Sequence, residues 1–452
     1  MEIDDLIKEE PKMRMGTRAE VLQFVQENDV KFVRLAFCDL FGTLKNISIM
    51  ASELPEAFDH GVSFDASAVD GFMNIEESDL LLVPDPGTLA ILPWRPQQGR
   101  VVRFYCDIQH PDGSPFLGDG RHLLENAIAK AAEMGYICKI GAECEFYLFE
   151  LDEKGEPTEI PQDKAGYLDV APLDKGENVR REICLNMEQM GLAPESSHHE
   201  KGPGQNEIVF KYHDALETAD NLITFKSVVN TAANRNGLHA SFMPKPMQDK
   251  SGSGLHVHIS LHKNGQNIFK NEKNLHSPDA EGFIQGILDR IEEMTAFLNP
   301  LVNSYRRFGE DEAPKYITWS HENRSQLIRI PPGTGKNARM ELRSPDPACN
   351  PYLAFALLIY AGLEGIEKKR TLCKPTNLNL RKADEKTLAA YAKLPDSLEQ
   401  ALVLAKNSDF VNRVLPPAYV EKFAGKKERE CQACQKAGNA FRCEKELYFE
   451  GV

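Results

Sequence analysis

The chain of 452 residues contains no run approaching the ~18 consecutive apolar residues that a membrane-spanning helix needs, which argues against a membrane protein. Its first residues, MEIDDLIKEEPK, are acidic and hold no apolar signal core, so a cytoplasmic setting is expected rather than secretion. Positive charge is in short supply: 53 Lys and Arg against 68 Asp and Glu give a formal charge of −15. Nucleic acid and anionic membrane are expected to be poor partners, since both repel such a surface. The ten cysteines follow no framework spacing, which fits a reducing compartment and requires no disulfides. Internal repeats and low-complexity tracts are absent. What remains is an ordinary globular balance, with 42% hydrophobic and 27% charged residues, too apolar for general disorder.

The N-terminal hundred residues read as a small β-rich unit after one helix. Val21, Phe24 and Val25 have helical spacing, and the segments from Val30 and from Leu44 read as strands around an Asp39–Gly42 turn. Loop signals at Asp112-Gly113 and Gly118–Gly120 place a boundary near residue 110, giving expected domains 15–110 and 111–452. The larger part mixes expected strands (Ile137–Leu148, Gly254–His262) with expected helices (Leu123–Met134, Glu177–Met190, Thr218–Asn236, Asn350–Ile366). Ser277-Pro278 supplies a cap and a first-turn proline for a helix whose apolar residues recur every three or four positions to Phe297. Asn264-Gly265 predicts a tight hairpin turn.

Glu143 and Glu145 lie two apart in a strand that is otherwise apolar, so they share a face. Two like charges on a mostly buried strand need compensating cations, and a divalent metal supplies them; an exposed strand face is the alternative. His256 and His258 repeat the spacing opposite Leu255, Val257 and Ile259. Glu200, Glu207 and Glu341 bring the acids to five, and oxygen ligands with one imidazole favour Mg²⁺ or Mn²⁺ over a thiolate zinc site. Arg306, Arg307, Arg324, Arg329, Arg339 and Arg343 form a second cluster. Guanidinium forks beside metal-bound carboxylates suit phosphoryl transfer, whereas surface ion pairs would use the same residues differently. Pro332–Lys336 imitates a phosphate loop but lacks its first glycine and the hydroxyl after the lysine. Cys431, Cys434 and Cys443 offer three thiols, with helix-surface or core cysteines the expected reading and a structural zinc the alternative.

These segments, in this order, resemble type I glutamine synthetases. The resemblance rests on Phe64-Asp65, Ile75–Asp79, Gly141–Phe146, His198-His199-Glu200, Gly204–Glu207, Lys245-Pro246, Gly252–His256, Asn303–Arg307, Glu312–Pro314, Asn323–Ser325, Ile328–Pro331 and Glu341–Arg343. It implies an α+β chain: an N-terminal β-grasp domain followed by a larger glutamine-synthetase-type α+β catalytic domain. It implies two six-membered rings, a dodecamer, with each active site between subunits. The implied reaction joins ammonia to the γ-carboxylate of glutamate through γ-glutamyl phosphate, with ATP as substrate and two or three Mg²⁺ or Mn²⁺ ions per site.

By motif, one ion belongs to Glu145, Glu200 and Glu207, and another to Glu143, His256 and Glu341. Arg324, Arg329 and Arg339 match phosphate-side positions, and Glu195, His258, Ser260 and Lys336 nucleotide-side ones. Gly252, Arg307 and Arg343 match the glutamate site. Asp65 from a neighbouring subunit, Tyr167 and Glu200 match the ammonium site, and Glu312 the flap that excludes water. The sequence departs from the family pattern at Ala66 and Ala68 of the Asp65 loop, at Ser251, at Asn74 and Asn379, and in a flap one residue shorter. The loop change raises a γ-glutamyl–amine ligase as an alternative, and a non-catalytic regulatory member is a third reading.

Overall fold

The computed structural model describes residues 16–73, 78–269, 276–333 and 335–452, without the side chain of Lys336. Asn74, most of the Ile75–Asp79 motif and the Lys336 side chain therefore lie outside the described residues.

The helix Arg18–Glu27 opens on a capping box: Thr17 Oγ1 accepts from the Glu20 N–H at 3.3 Å, and Glu20 accepts from the Thr17 N–H at 2.9 Å. Its buried Val21, Phe24 and Val25 join the core of a six-stranded sheet. The strands are β1 (Val30–Cys38), β2 (Leu44–Met50), β3 (Val62–Asp65), β4 (Asp79–Pro84), β5 (Ala90–Ile91) and β6 (Arg100–Gln109). Their order is β2-β1-β6-β4-β3, with β5 on β6 and β1 parallel to β6. A second helix, Leu54–His60, bridges β2 and β3; at seven residues it is too short to declare itself by periodicity.

The second sheet holds β7 (Ile137–Leu151), β8 (Pro157–Pro161), β9 (Pro194–His199), β10 (Gln205–Asp214), β11 (Leu238–Ser241), β12 (Leu255–Lys263), β13 (Gln266–Asn267), β14 (Trp319–His321), β15 (Ile328–Ile330) and β16 (Met340–Leu342). Its main order is β14-β15-β16-β12-β7-β10-β9. The Asn264-Gly265 turn joins β12 to β13 with both residues at positive φ, 52° and 75°. One face of this sheet packs on the helices Gly120–Glu133, Ala215–Arg235, Pro278–Leu298 and Pro351–Glu367 in one apolar cluster. The last two helices cross so closely that a Cβ on Gly286 would sit 2.2 Å from the Ala361 carbonyl oxygen. Helix starts follow their caps: Asp119 accepts from the Arg121 N–H at 3.0 Å, so the helix expected from Leu123 begins at Gly120. Arg121 then ties the first sheet to the helices packed on the second, pairing with Asp85 at 2.6 Å beyond β4, with Asp107 of β6 and with Asp220 of the helix Ala215–Arg235. The whole is α+β, as the resemblance implies.

Candidate active site

The face of the second sheet that turns away from those helices carries the acids. Along β7, Ala142, Cys144 and Phe146 enter the apolar core, so period-2 alternation sends Glu143 and Glu145 to the opposite side. Register then aligns functional side chains across strands. Glu143 pairs with His256 of β12, Glu145 with Glu207 of β10, and Glu207 with His198 of β9. His258 stands opposite Glu341 of β16, and Glu341 opposite Arg329 of β15.

Two groups of potential ligand atoms converge, each within 4.8 Å: Glu143, Glu207 and His256, and His198, Glu200 and Glu207. Glu207 is common to both. Glu145 lies beside them, its Oε2 accepting from the Gly254 N–H at 2.9 Å and from Gln205 at 3.0 Å. Glu341, 1% exposed, accepts from Arg329 at 2.7 Å and from Arg343; its nearest approach to His256 is 4.0 Å.

Charge is unevenly settled among these acids. Burial, reinforced by Glu145, Glu143 and Glu200, pushes the Glu207 carboxyl up to about 10. Burial and then Glu200 push Glu145 up to about 8. Burial acts on Glu143 too, but hydrogen bonds with His256 (3.2 Å) and His258 (2.8 Å) outweigh it and hold that carboxyl well below the usual range. Glu341 is likewise buried, and Arg343 together with the two histidines holds it down at about 2. Glu145 and Glu207 face no guanidinium or ammonium within ion-pair distance among the described residues. Their mutual repulsion is relieved by taking up protons or a cation. The donor set, carboxylate oxygens with imidazole, fits a hard divalent ion.

Basic groups ring this pocket. Arg339 donates Nε–H to His258 Nδ1 at 3.1 Å. Arg307 is buried beneath Gly252, where a Cβ would lie 2.6 Å from Arg307 Cγ. The Nε atoms of Arg307 and Arg343 are buried and have no partner among the described residues. Glu312 spans Lys201 (2.6 Å) and Arg343 (3.4 Å), and the exposed Arg324 acts on it electrostatically. The Tyr167 ring meets His198 edge-on at 5.6 Å. Ser260 lies on β12 beside His262, and Glu195 is exposed near the start of β9. Two expected members stand apart. Asp65, exposed at the end of β3, has Ser67 as its partner among the described residues, with no contact to the acids of its own chain. Arg306 turns away from the arginine cluster to pair with Glu444 at 2.6 Å.

Residues 29–111 match the family model for the glutamine synthetase beta-Grasp domain, and residues 117–446 match that for the glutamine synthetase catalytic domain. The chain belongs to the glutamine synthetase family. It is 50% identical over 410 residues to a glutamine synthetase of Clostridium saccharobutylicum, covering 89% of this chain and 92% of that one. It is 48% identical over 419 residues to a glutamine synthetase of Methanosarcina mazei, covering 92% and 94%. Among solved structures, a GmaS/ADP complex superposes with a TM-score of 0.85 at 31% identity, covering 94% of this chain and 99% of that one.

In this glutamine synthetase family member, a second cluster lies behind the pocket that sequence reasoning did not single out. Asp163, Asp174 and His199 are buried with their ligand atoms within 4.8 Å of one another. His199 donates Nδ1–H to the Glu200 carbonyl at 2.7 Å and Nε2–H to Asp163 at 3.0 Å. Asp163 also accepts from the Gly204 N–H at 2.8 Å and the Lys175 N–H at 3.1 Å, and Asp174 is bridged by Arg180. Gln205, His198 and Lys201 were equally missed as contacts. The signal for them was proximity in the sequence: each lies within two residues of a motif acid.

Proposed function

We infer that this chain ligates ammonia to the γ-carboxylate of glutamate at the expense of ATP, giving glutamine, ADP and phosphate through γ-glutamyl phosphate. The observation that carries the reading is the uncompensated acid pocket, with Glu145 and Glu207 pushed up to about 8 and about 10. In this reading Glu145, Glu200 and Glu207 hold one Mg²⁺ or Mn²⁺, and Glu143, His256 and Glu341 another, two or three ions being held per site. Bound there, the ions would neutralise nucleotide phosphates and the charge that grows during phosphoryl transfer.

The chain's own residues supply the rest. Arg324, Arg329 and Arg339 steady phosphate oxygens, and Glu195, His258, Ser260 and Lys336 line the nucleotide side. The partnerless Nε–H groups of Arg307 and Arg343 offer donors to the glutamate carboxylates, and the absence of a side chain at Gly252 lets the Arg307 stem pack directly against the backbone there. Glutamate oxygen then takes the γ-phosphoryl group. Ammonium binds between the carboxylates of Glu200 and of Asp65 of a neighbouring copy, beside the Tyr167 hydroxyl, and gives a proton to one of those carboxylates before its nitrogen displaces phosphate. Glu312, tethered by Lys201 and Arg343, closes the site against water.

The division into 15–110 and 111–452, the dodecamer of two hexameric rings and the cytoplasmic location belong to the same proposal. Support for assembly comes from the solvent-facing Tyr167, Leu168, Val170 and Leu173 beside the pocket, and from Asp65, exposed and, among the described residues, in no hydrogen bond with the acids of the pocket. No helix among the described residues is long and apolar enough to cross a membrane.

The test is a coupled assay of ADP release with glutamate, ammonium and Mg²⁺ or Mn²⁺. ADP release that requires both glutamate and ammonium is expected. Turnover with an organic amine but not ammonium would move the reading to γ-glutamyl–amine ligation, which the Ala66 and Ala68 substitutions in the Asp65 loop favour; no turnover with either would reject both.

A further inference from the structure

The C-terminal thiols play no part in the ligase reading. The helix Pro417–Lys436 carries Cys431 and Cys434, and after a short turn the helix Ala440–Tyr448 carries Cys443. Cys434 and Cys443 approach to 3.3 Å between sulfurs, inside ordinary van der Waals contact, while all ten cysteines are reduced. The three thiols do not converge with a fourth donor, since no cluster of ligand atoms includes them among the described residues. A zinc site is thereby disfavoured and a thiol pair is left.

We propose that Cys434 and Cys443 form an oxidation site, a dithiol that a hydroperoxide converts into an intrachain disulfide locking the C-terminal helical hairpin. A disulfide is about 2.05 Å long, so the sulfurs must close by roughly 1.3 Å, within the reach of side-chain rotation. The order of attack follows exposure. Cys443 is half-buried and reachable, whereas burial, and next the neighbouring Cys443, push the Cys434 thiol up to about 12. The Cys443 sulfur attacks the peroxide: an S–O bond forms, the O–O bond breaks, and water or an alcohol departs with the proton. The Cys434 sulfur then displaces the hydroxyl of the resulting sulfenic acid, forming S–S, breaking S–O and releasing water. Two thiols thus give two electrons to one hydroperoxide.

The lock falls on a segment tied to the site. Glu444, next to Cys443, holds Arg306 at 2.6 Å and Asn303 at 2.9 Å, and Asn303 accepts from the Lys245 N–H at 2.6 Å. The Arg306–Glu444 contact already exists in the reduced state, so closure fixes this arrangement rather than changing it.

The experiment uses the full chain carrying Cys373→Ser, which removes the exposed competing thiol. One equivalent of hydrogen peroxide is added, followed by non-reducing peptide mapping by mass spectrometry. The expected result is loss of two thiols per chain, a Cys434–Cys443 linked peptide pair lighter by two hydrogens, reversal by dithiothreitol, and a raised melting temperature. With Cys443→Ser added, the linked pair should vanish and Cys434 should stay reduced. An oxygen adduct stranded on Cys443, a bond to Cys431 or to a second chain, or no thiol loss would each overturn the proposal. A lowered melting temperature on oxidation would equally overturn it, because the hairpin would then have to distort to close.

Discussion

His198 and His199 are adjacent in one strand and project to opposite faces, each into a cluster of three potential metal ligands. The clusters look alike by composition and differ in their accounts of charge. Around His199, two carboxylates meet one imidazole that donates from both nitrogens and one guanidinium, so each carboxylate has a hydrogen-bonding or charged partner within the chain. Burial raises the Asp163 carboxyl, but the hydrogen bonds from His199, Lys175 and Gly204 and the charge on His199 together outweigh it and hold the group down at about 2. Around His198, the acids outnumber the cations, and Glu145 and Glu207 are left raised. Proximity of ligand-type side chains therefore does not mark a metal site; an unpaid negative surplus does. The balanced cluster has a different job: it fastens the Glu200 carbonyl and the Gly204 amide, and so holds the acid-bearing loop in place.

The largest effect that would sharpen this contrast is expected from Glu207→Gln. The acid shared by both converging groups is lost at nearly constant volume, so ligase turnover should fall by roughly 10²–10³ while the metal-free protein melts no earlier. Steady-state kinetics and calorimetry check it, and an active variant would remove Glu207 from the machinery.

Asp163→Asn comes next. Breaking one side of the buried His199 pair should cost about 3 kcal/mol of stability. It should also weaken Mn²⁺ binding about tenfold, since outer-shell partners orient ligands. Denaturant melts and Mn²⁺ titration read the two consequences separately; unchanged Mn²⁺ affinity would reduce the cluster to a purely structural brace.

A pH series separates the clusters without mutation. Glu145 and Glu207 have raised folded values, about 8 and about 10. The native state therefore binds more protons than the unfolded chain, and their contribution to metal-free stability falls as pH rises from ~4.3 through that window. Asp163 has a lowered value, about 2, so its contribution is present above ~3.9 and is lost as pH falls toward 2. Melting temperature followed from pH 6 to 9 should decline without divalent ion and hold steady with it. A flat metal-free profile would contradict the assignment of raised carboxyls.

Much of the unbalanced cluster was legible in the sequence, because period-2 spacing alone put Glu143 with Glu145 and His256 with His258 on shared faces. What spacing cannot supply is register. The pairing of Glu145 with Glu207 and of His258 with Glu341 depends on which strands meet and at which residue. The balanced cluster stayed hidden because its partners lie 36 residues apart, as between His199 and Asp163, and carry no repeating pattern. Arg306 is grouped with Arg307 by adjacency, yet it ends the five-residue 3-10 helix Val302–Arg306, where successive side chains point about 120° apart. One therefore serves the C-terminal helix while the other lies under Gly252. The seven-residue helix Leu54–His60 was missed for want of enough turns to show a period.

The central claim, that surplus buried acid marks where divalent ions bind, is tested most directly by titrating Mn²⁺ into the metal-free protein and counting sites by electron paramagnetic resonance. Two or more sites per chain are expected in the unaltered protein, fewer in Glu207→Gln, and an undiminished number in Asp174→Asn, whose carboxylate belongs to the balanced cluster. Absence of stoichiometric binding, or a site lost with Asp174 and kept without Glu207, would contradict it.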